Sequence, residues 1–234
     1  MNKLLFAALS LFIISSCNNK PETNLQITGS VKGLQKGTLY LRKLGDSTYI
    51  TIDSIKIDGK SEFESNINLK SPEMLYLFLD RGETNSGDNN LMFFAEPGKI
   101  NIATDLEYFY SKAVVTGSKN NDLYENYKKI SSKYNEQQLE LTVAKINALK
   151  NKQTNLIPSI QEKSNTILKR KYLYAINFAV TNKEYEVSPY IALTEISDAT
   201  IMYLDTIQKS MSPKVAKSRY GVLLTKYVAE RKKQ

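Results

Sequence analysis

The 234-residue chain carries a formal net charge of +8, with 41% hydrophobic and 24% charged residues, an ordinary globular balance that excludes an intrinsically disordered protein. It has no histidine, which removes the usual general base near neutral pH and the commonest metal ligand. A single cysteine excludes an internal disulfide, a CxxC redox pair and a cysteine-rich zinc site.

The chain opens with a short basic region, Met1-Asn2-Lys3, and an apolar run from Leu4 to Ile14 that has the length of a signal peptide's hydrophobic core and is too short to span a bilayer. Ile14-Ser15-Ser16-Cys17 follows at once and resembles the lipobox of bacterial lipoproteins. The resemblance implies a signal peptide over residues 1–16, cleavage between Ser16 and Cys17, and acylation of Cys17. A plainly secreted protein needs only small residues at the cleavage site. The placement of the sole cysteine at the end of the apolar run favours the lipid.

Each buried methylene of an acyl chain contributes about 0.8 kcal/mol, so two or more chains give lasting attachment. Residues 17–24 then form a polar, lipidated tether. Asn18 stands where an Asp resembles an inner-membrane retention signal, which favours the outer membrane within the cell envelope.

From Leu25 to Gly117 the hydropathy alternates with period two and is broken by Gly, Asp and Pro, predicting an antiparallel β domain over 25–117, sandwich-like or barrel-like. Leu25, Ile27 and Val31 share one face, with Gly29 as a bulge or point of close approach. Asp58-Gly59 predicts a two-residue hairpin joining the runs 48–57 and 60–69. The runs 73–79 and 91–95 are nearly all apolar and predict central strands covered on both faces. Between them, 80–90 reads as an exposed loop; Asp80, Glu83 and Asp88 lack the spacing of an EF-hand calcium site.

After Gly117 the period changes to that of a helix, predicting a helical domain over 118–234 with about four helices, and so an α+β chain. Ser118 is a candidate N-cap for a stripe of Leu123, Tyr127, Ile130, Tyr134, Leu141, Ala144 and Ala148. Packing against another helix explains that stripe, and a self-associating coiled coil shares its spacing. Ile160, Ile167, Leu168, Ala175, Phe178 and Ala179 mark a second helix that Pro158 starts or kinks. Ser188-Pro189 and Ser212-Pro213 are two further helix starts. Residues 118–234 hold twenty basic side chains against eleven acidic ones. Export argues against nucleic acid as the partner; solvated helix faces, anionic lipid or an acidic partner remain.

Ile27-Thr28-Gly29-Ser30-Val31-Lys32-Gly33-Leu34, Gly37-Thr38-Leu39-Tyr40-Leu41, Asp53-Ser54, Asp58-Gly59-Lys60, Glu96-Pro97-Gly98 and Val115-Thr116-Gly117-Ser118 resemble a family of domains of unknown function. Such domains stand at the N-terminus of exported thiol:disulfide interchange lipoproteins with a thioredoxin-like C-terminal domain. Phe178 to Asn182, Ser188-Pro189-Tyr190 and Met211 to Leu224 look like the helical segment before that domain. The expectation is that the thioredoxin-like domain, with its CxxC, has no counterpart here, so no catalytic residue carries over.

Three functions are then open. The leading expectation is a non-enzymatic binding or interaction lipoprotein, with no catalytic, cofactor-binding or metal-binding residue and membrane lipid as its partner through Cys17. Tyr40, Tyr49, Tyr76, Tyr108, Phe109 and Tyr110 could stack a sugar or peptide, although core and cross-strand packing account for such spacings as well. The second is an accessory subunit that docks a separate thioredoxin-like oxidoreductase. The third is a hydrolase using a carboxylate pair drawn from Asp53, Asp58, Glu62 and Glu64.

Overall fold

In β1 (Leu25–Lys32), Leu25, Ile27, Gly29 and Val31 point inward and the intervening polar residues outward. The same alternation in β2 (Lys36–Leu44), β4 (Glu62–Ile67) and β7 (Gly98–Asp105) gives each sheet one apolar face. The computed structural model that carries these strands describes residues 23–80 and 87–233. Ser16 and Cys17 lie outside those residues, as does Glu83. Among the described residues no helix is long and apolar enough to cross a membrane.

The strands β3 (Tyr49–Asp58), β5 (Glu73–Asp80), β6 (Asn90–Ala95) and β8 (Val114–Thr116) complete two four-stranded sheets, in the orders β4-β1-β7-β8 and β3-β2-β5-β6. Their inner faces meet in one core built on Ile27, Val31, Leu41, Leu75, Phe93 and Ile102. This is the sandwich-like form of the expected α+β chain.

Two local expectations are corrected. Asp58-Gly59 does not close a hairpin: β3 pairs with β2, whereas β4 pairs with β1 in the other sheet. The turn at Gly59, φ +88°, therefore carries the chain from one sheet to the other. Ser65 Oγ donates to Asp53 across that corner at 2.5 Å. Nor is every pair antiparallel, because β1 and β7 run parallel from Leu25↔Gly98 to Lys32↔Asp105. Alternation fixes which residues face inward and carries no information on strand direction. Gly29 is a point of close approach: an added Cβ would lie 2.2 Å from the Ile102 carbonyl oxygen and 2.6 Å from the Phe63 ring.

Six helices follow rather than four. α1 (Lys119–Lys150) and α2 (Ile157–Thr181) form a long antiparallel hairpin. α3 (Val187–Glu195), α4 (Ile201–Ser210), α5 (Pro213–Ala216) and α6 (Arg219–Arg231) pack beside its base. The two additional helices, α4 and α6, begin after Thr200 and Ser218, downstream of the Ser188-Pro189 and Ser212-Pro213 starts. Ser118 caps α1 by accepting the Asn121 N–H, and Ser212 caps α5 with Pro213 at its first position. Pro158 starts α2. Ser188 does not cap α3; its hydroxyl donates to the Ala179 carbonyl at 2.7 Å and ties α3 to α2.

The helices share a second core with the sandwich. β5 and β6 turn Met74 and Phe94 outward, where they pack with Tyr124, Tyr127, Tyr190, Ile191, Leu204 and Leu224. The cover on both faces expected for the two apolar runs is complete at Met74 and Phe94 and partial at Tyr76 and Phe78, which stay half-buried. β6 is nonetheless an edge strand, and the buried Asn121 side chain accepts its Phe94 N–H at 2.9 Å.

Candidate functional site

Where α3, α5 and α6 meet the outer face of the second sheet, they leave a cleft of about 950 Å³. The turn after β2 supplies Leu44, Gly45 and Asp46, and β5 supplies Met74 and Tyr76. α3 brings Tyr190, Leu193 and Thr194, and the α5–α6 segment adds Lys217, Arg219, Tyr220, Val222, Leu223, Lys226, Tyr227 and Glu230.

Arg219 fixes the width of this cleft. Its guanidinium donates to the Glu73 carboxylate and, at 2.7 Å, to the Leu44 carbonyl, while its backbone N–H donates to Ser71 Oγ at 3.3 Å. One side chain thereby holds α6 to the end of β2 and the start of β5. Beside it, the Tyr220 hydroxyl accepts the Met74 N–H at 3.0 Å. Asn120 makes a second junction between the helices and the sandwich. It donates to Glu96 at 2.6 Å and Glu186 at 3.1 Å and accepts the Val187 N–H at 2.9 Å.

The cleft floor is aromatic. The Tyr190 and Tyr220 rings meet edge-on at 5.0 Å, and both pack against Phe94. Burial pushes the hydroxyls of Tyr124, Tyr127, Tyr190 and Tyr220 well above the ordinary tyrosine range. Burial, then the nearby Tyr49, also raises Tyr76. The Tyr172 hydroxyl is pushed up to about 12, first by its hydrogen bond to Asp198 at 2.6 Å.

These shifts set an alkaline limit. A folded pKa above the unfolded value of about 10 gives stability that is complete below that pH and lost as pH rises past it, because only the unfolded chain then releases protons. Titration followed by tyrosinate absorbance should show the exposed tyrosines ionising first and the four buried ones only together with loss of helical circular dichroism. Ionisation of all fifteen tyrosines in one smooth step with helicity intact would contradict this core.

From the cleft, an aromatic strip continues over the open face of the sheet. Tyr49 meets Tyr76 at 4.9 Å and Phe78 at 5.1 Å, both edge-on. The Arg42 guanidinium lies 4.6 Å from the Phe78 ring and 4.9 Å from Tyr40. Tyr40, Tyr49 and Tyr76 are therefore brought together. The second aromatic cluster is divided: Phe109 is buried in the sandwich, whereas Tyr108 and Tyr110 are exposed.

The four acids considered for hydrolysis are engaged separately or face solvent. Asp53 accepts from Ser65, Glu64 accepts from Gln26 and Asn66, and Asp58 and Glu62 are exposed. Hydrogen bonds from Asn66 and Gln26 hold the Glu64 carboxyl below its usual range. Among the described residues no three metal-ligating side chains converge.

Chemically, the cleft offers ring faces, phenol donors and exposed Leu44, Val222 and Leu223. That suits binding of a partly apolar ligand or partner segment. Arg219, Tyr220, Tyr190 and Asn120 had not stood out in the sequence as site residues. The Ser218-Arg219 start of α6 and the polar pair Asn120-Asn121 directly after the Ser118 cap are the local signals that mark them.

The molecule is thus a two-sheet sandwich carrying a helical unit on one outer face, with a ligand-sized cleft at the seam. Residues 25–124 match the model of a family described as a domain of unknown function, DUF4369. The match includes the sandwich, Asn120, Asn121 and Tyr124, and leaves the helical wall of the cleft outside it. No curated protein matches the chain.

Proposed function

We propose that the chain is a lipoprotein of the bacterial cell envelope, cleaved between Ser16 and Cys17, acylated on Cys17 and placed preferentially at the outer membrane. Its folded part acts without catalysis, by binding a ligand or protein segment in the cleft between sheet and helices. The observation that carries the binding reading is the cleft itself. Arg219 and Tyr220 hold it open at the seam, while Leu44, Val222 and Leu223 remain exposed on its walls.

A second reading makes the occupant a separate thioredoxin-like oxidoreductase. It is favoured by the match of residues 25–124 together with the resemblance to domains that precede thioredoxin-like domains in exported lipoproteins. In that case the chain does in trans what such relatives do in cis.

The test places a photo-crosslinking residue at Leu223, in the cleft, or at Ile146, on the hairpin, in the full chain expressed in its own envelope. Binding in the cleft predicts adducts from position 223 and none from 146. An adduct with a CxxC protein supports the second reading, and equal labelling from both positions removes the cleft as the site. Mass spectrometry of the N-terminal peptide should show acyl chains on wild type and none on Cys17→Ser. A Cys17→Ser chain that stays membrane-bound, with unmodified wild type, would refute the anchor.

A further inference from the structure

Asn24 marks the point where the tether joins the fold. Its side chain exchanges two hydrogen bonds of 2.8 Å with the Leu69 backbone. Its own backbone accepts the Gly98 N–H at 2.9 Å and donates to the Ile67 carbonyl at 3.1 Å. Four bonds thus fix where the preceding chain leaves the sandwich. Lys70 and Pro97, the residues adjoining Leu69 and Gly98, line a hollow of about 550 Å³ whose other side carries Lys214 and Lys217.

The acids of this hollow are turned inward. Glu96 accepts from the Lys119 N–H and from Asn120, and Glu186, 1% exposed, accepts from Asn120. Lys214 lies 3.7 Å from Glu186 but leaves 76% of its side chain in solvent. Lys70 and Lys217 are exposed and make no ion pair among the described residues. Ammonium groups free to rotate around a recess are point charges suited to the oxygens of a phosphate.

The reach of the chain says which phosphate. Asn24 is the seventh residue after Cys17, and an extended chain spans at most about 3.6 Å per residue, so Asn24, at the edge of the hollow, is held within about 25 Å of the acylated cysteine. We propose that Lys70, Lys214 and Lys217 seat the phosphate of an anionic phospholipid headgroup and dock this end of the molecule on the bilayer that anchors it. The inference rests on acylation of Cys17. Its consequence is an orientation. α1 starts beside Glu96 at the docked end and runs 32 residues, so the hairpin tip lies about 48 Å from that end at 1.5 Å per residue, and the proposed orientation points it away from the membrane.

Each lysine near an anionic surface is worth about a fivefold gain in partitioning at moderate salt. The test uses the full acylated lipoprotein in vesicles of phosphatidylcholine alone or with one third phosphatidylglycerol. Because Cys17 is the only native cysteine, a fluorophore can be attached at Lys99→Cys, next to Gly98, or at Ile146→Cys, on the hairpin. Headgroup-spin-labelled lipid should quench the position-99 probe several-fold more in the anionic vesicles. Added salt or the triple variant Lys70→Gln, Lys214→Gln, Lys217→Gln should abolish the difference, and the position-146 probe should stay unquenched. Unchanged melting of the triple variant shows that it folds.

Quenching at position 99 that ignores lipid charge or the three glutamines overturns the headgroup seat. So does displacement by inorganic phosphate beyond that by sodium chloride of equal ionic strength, which assigns the hollow to free phosphate. An unacylated Cys17 peptide, seen before any quenching is measured, removes the anchor reading itself.

Discussion

Asn120→Ala should lower the stability of the folded chain by about 3 kcal/mol, since it strips hydrogen bonds from buried or half-buried carboxylates and leaves a buried backbone donor unpaired. The residue is 1% exposed and joins three segments: Glu96 in the turn before β7, Glu186 at the start of α3, and its own helix α1. Its amide donates to both acids and its carbonyl accepts the Val187 N–H. Alanine can replace none of these bonds. Urea unfolding followed by circular dichroism measures the loss, with exposed Asn126→Ala as a control expected to change stability by less than about 0.5 kcal/mol. Asn120→Asp sharpens the test, because it replaces the amide donor with a like charge beside the Glu96 and Glu186 carboxylates. Its extra destabilisation should be greatest at neutral pH and shrink as the pH falls and the introduced carboxyl loses its charge. A loss below about 1 kcal/mol for Asn120→Ala would mean that the junction is held by the apolar core alone.

Faces were legible in the sequence; neighbours were not. Leu25, Ile27 and Val31 in β1, and Phe63 and Ile67 in β4, are buried as their alternation predicts. The same alternation is silent on which strand lies alongside, so Asp58-Gly59 suggested a hairpin where β4 crosses to pair with β1. In α1 the expected stripe included Ile130 and Ala144, yet both are exposed, and the inward positions run through Tyr124, Tyr127, Ser131, Tyr134, Gln138, Leu141, Lys145 and Ala148. Polar side chains are tolerated in that seam because α2 satisfies them: Gln138 and Ser164 exchange bonds of 2.7 Å, and Lys145 donates to Gln161 at 3.0 Å. A pattern read from hydrophobicity alone therefore found Tyr127, Tyr134, Leu141 and Ala148, strayed to the neighbouring row at Ile130 and Ala144, and passed over the polar positions Ser131, Gln138 and Lys145. The cleft was beyond any local pattern, since Glu73 and Arg219 lie 146 residues apart and Tyr76, Tyr190 and Tyr220 come from three separate elements.

Gly221→Ala should cost about 3 kcal/mol or more and widen the cleft at the same time. Gly221 lies in the first turn of α6, where an added Cβ would stand 2.0 Å from the Val215 carbonyl oxygen and 2.9 Å from the Ala216 backbone. Both obstacles belong to the backbone of α5, so no side chain can swing aside. Ser218 tightens the same contact by donating to the Val215 carbonyl at 2.7 Å while accepting the Gly221 N–H at 3.3 Å. Relief requires α6 to move away from α5. Such a shift carries Arg219 and Tyr220 with it and breaks their bonds to Glu73, Leu44 and Met74. Gly59→Ala is the contrasting variant: its φ of +88° disfavours alanine, but nothing lies within 4 Å of the new atom, so the cost should be only about 1 kcal/mol. Gly221→Ala should also lose the crosslinks expected from position 223, whereas Gly59→Ala should retain them. If the two variants unfold at the same urea concentration, the close α5–α6 contact does not set the position of α6, and the cleft owes its shape to the bonds of Arg219 and Tyr220.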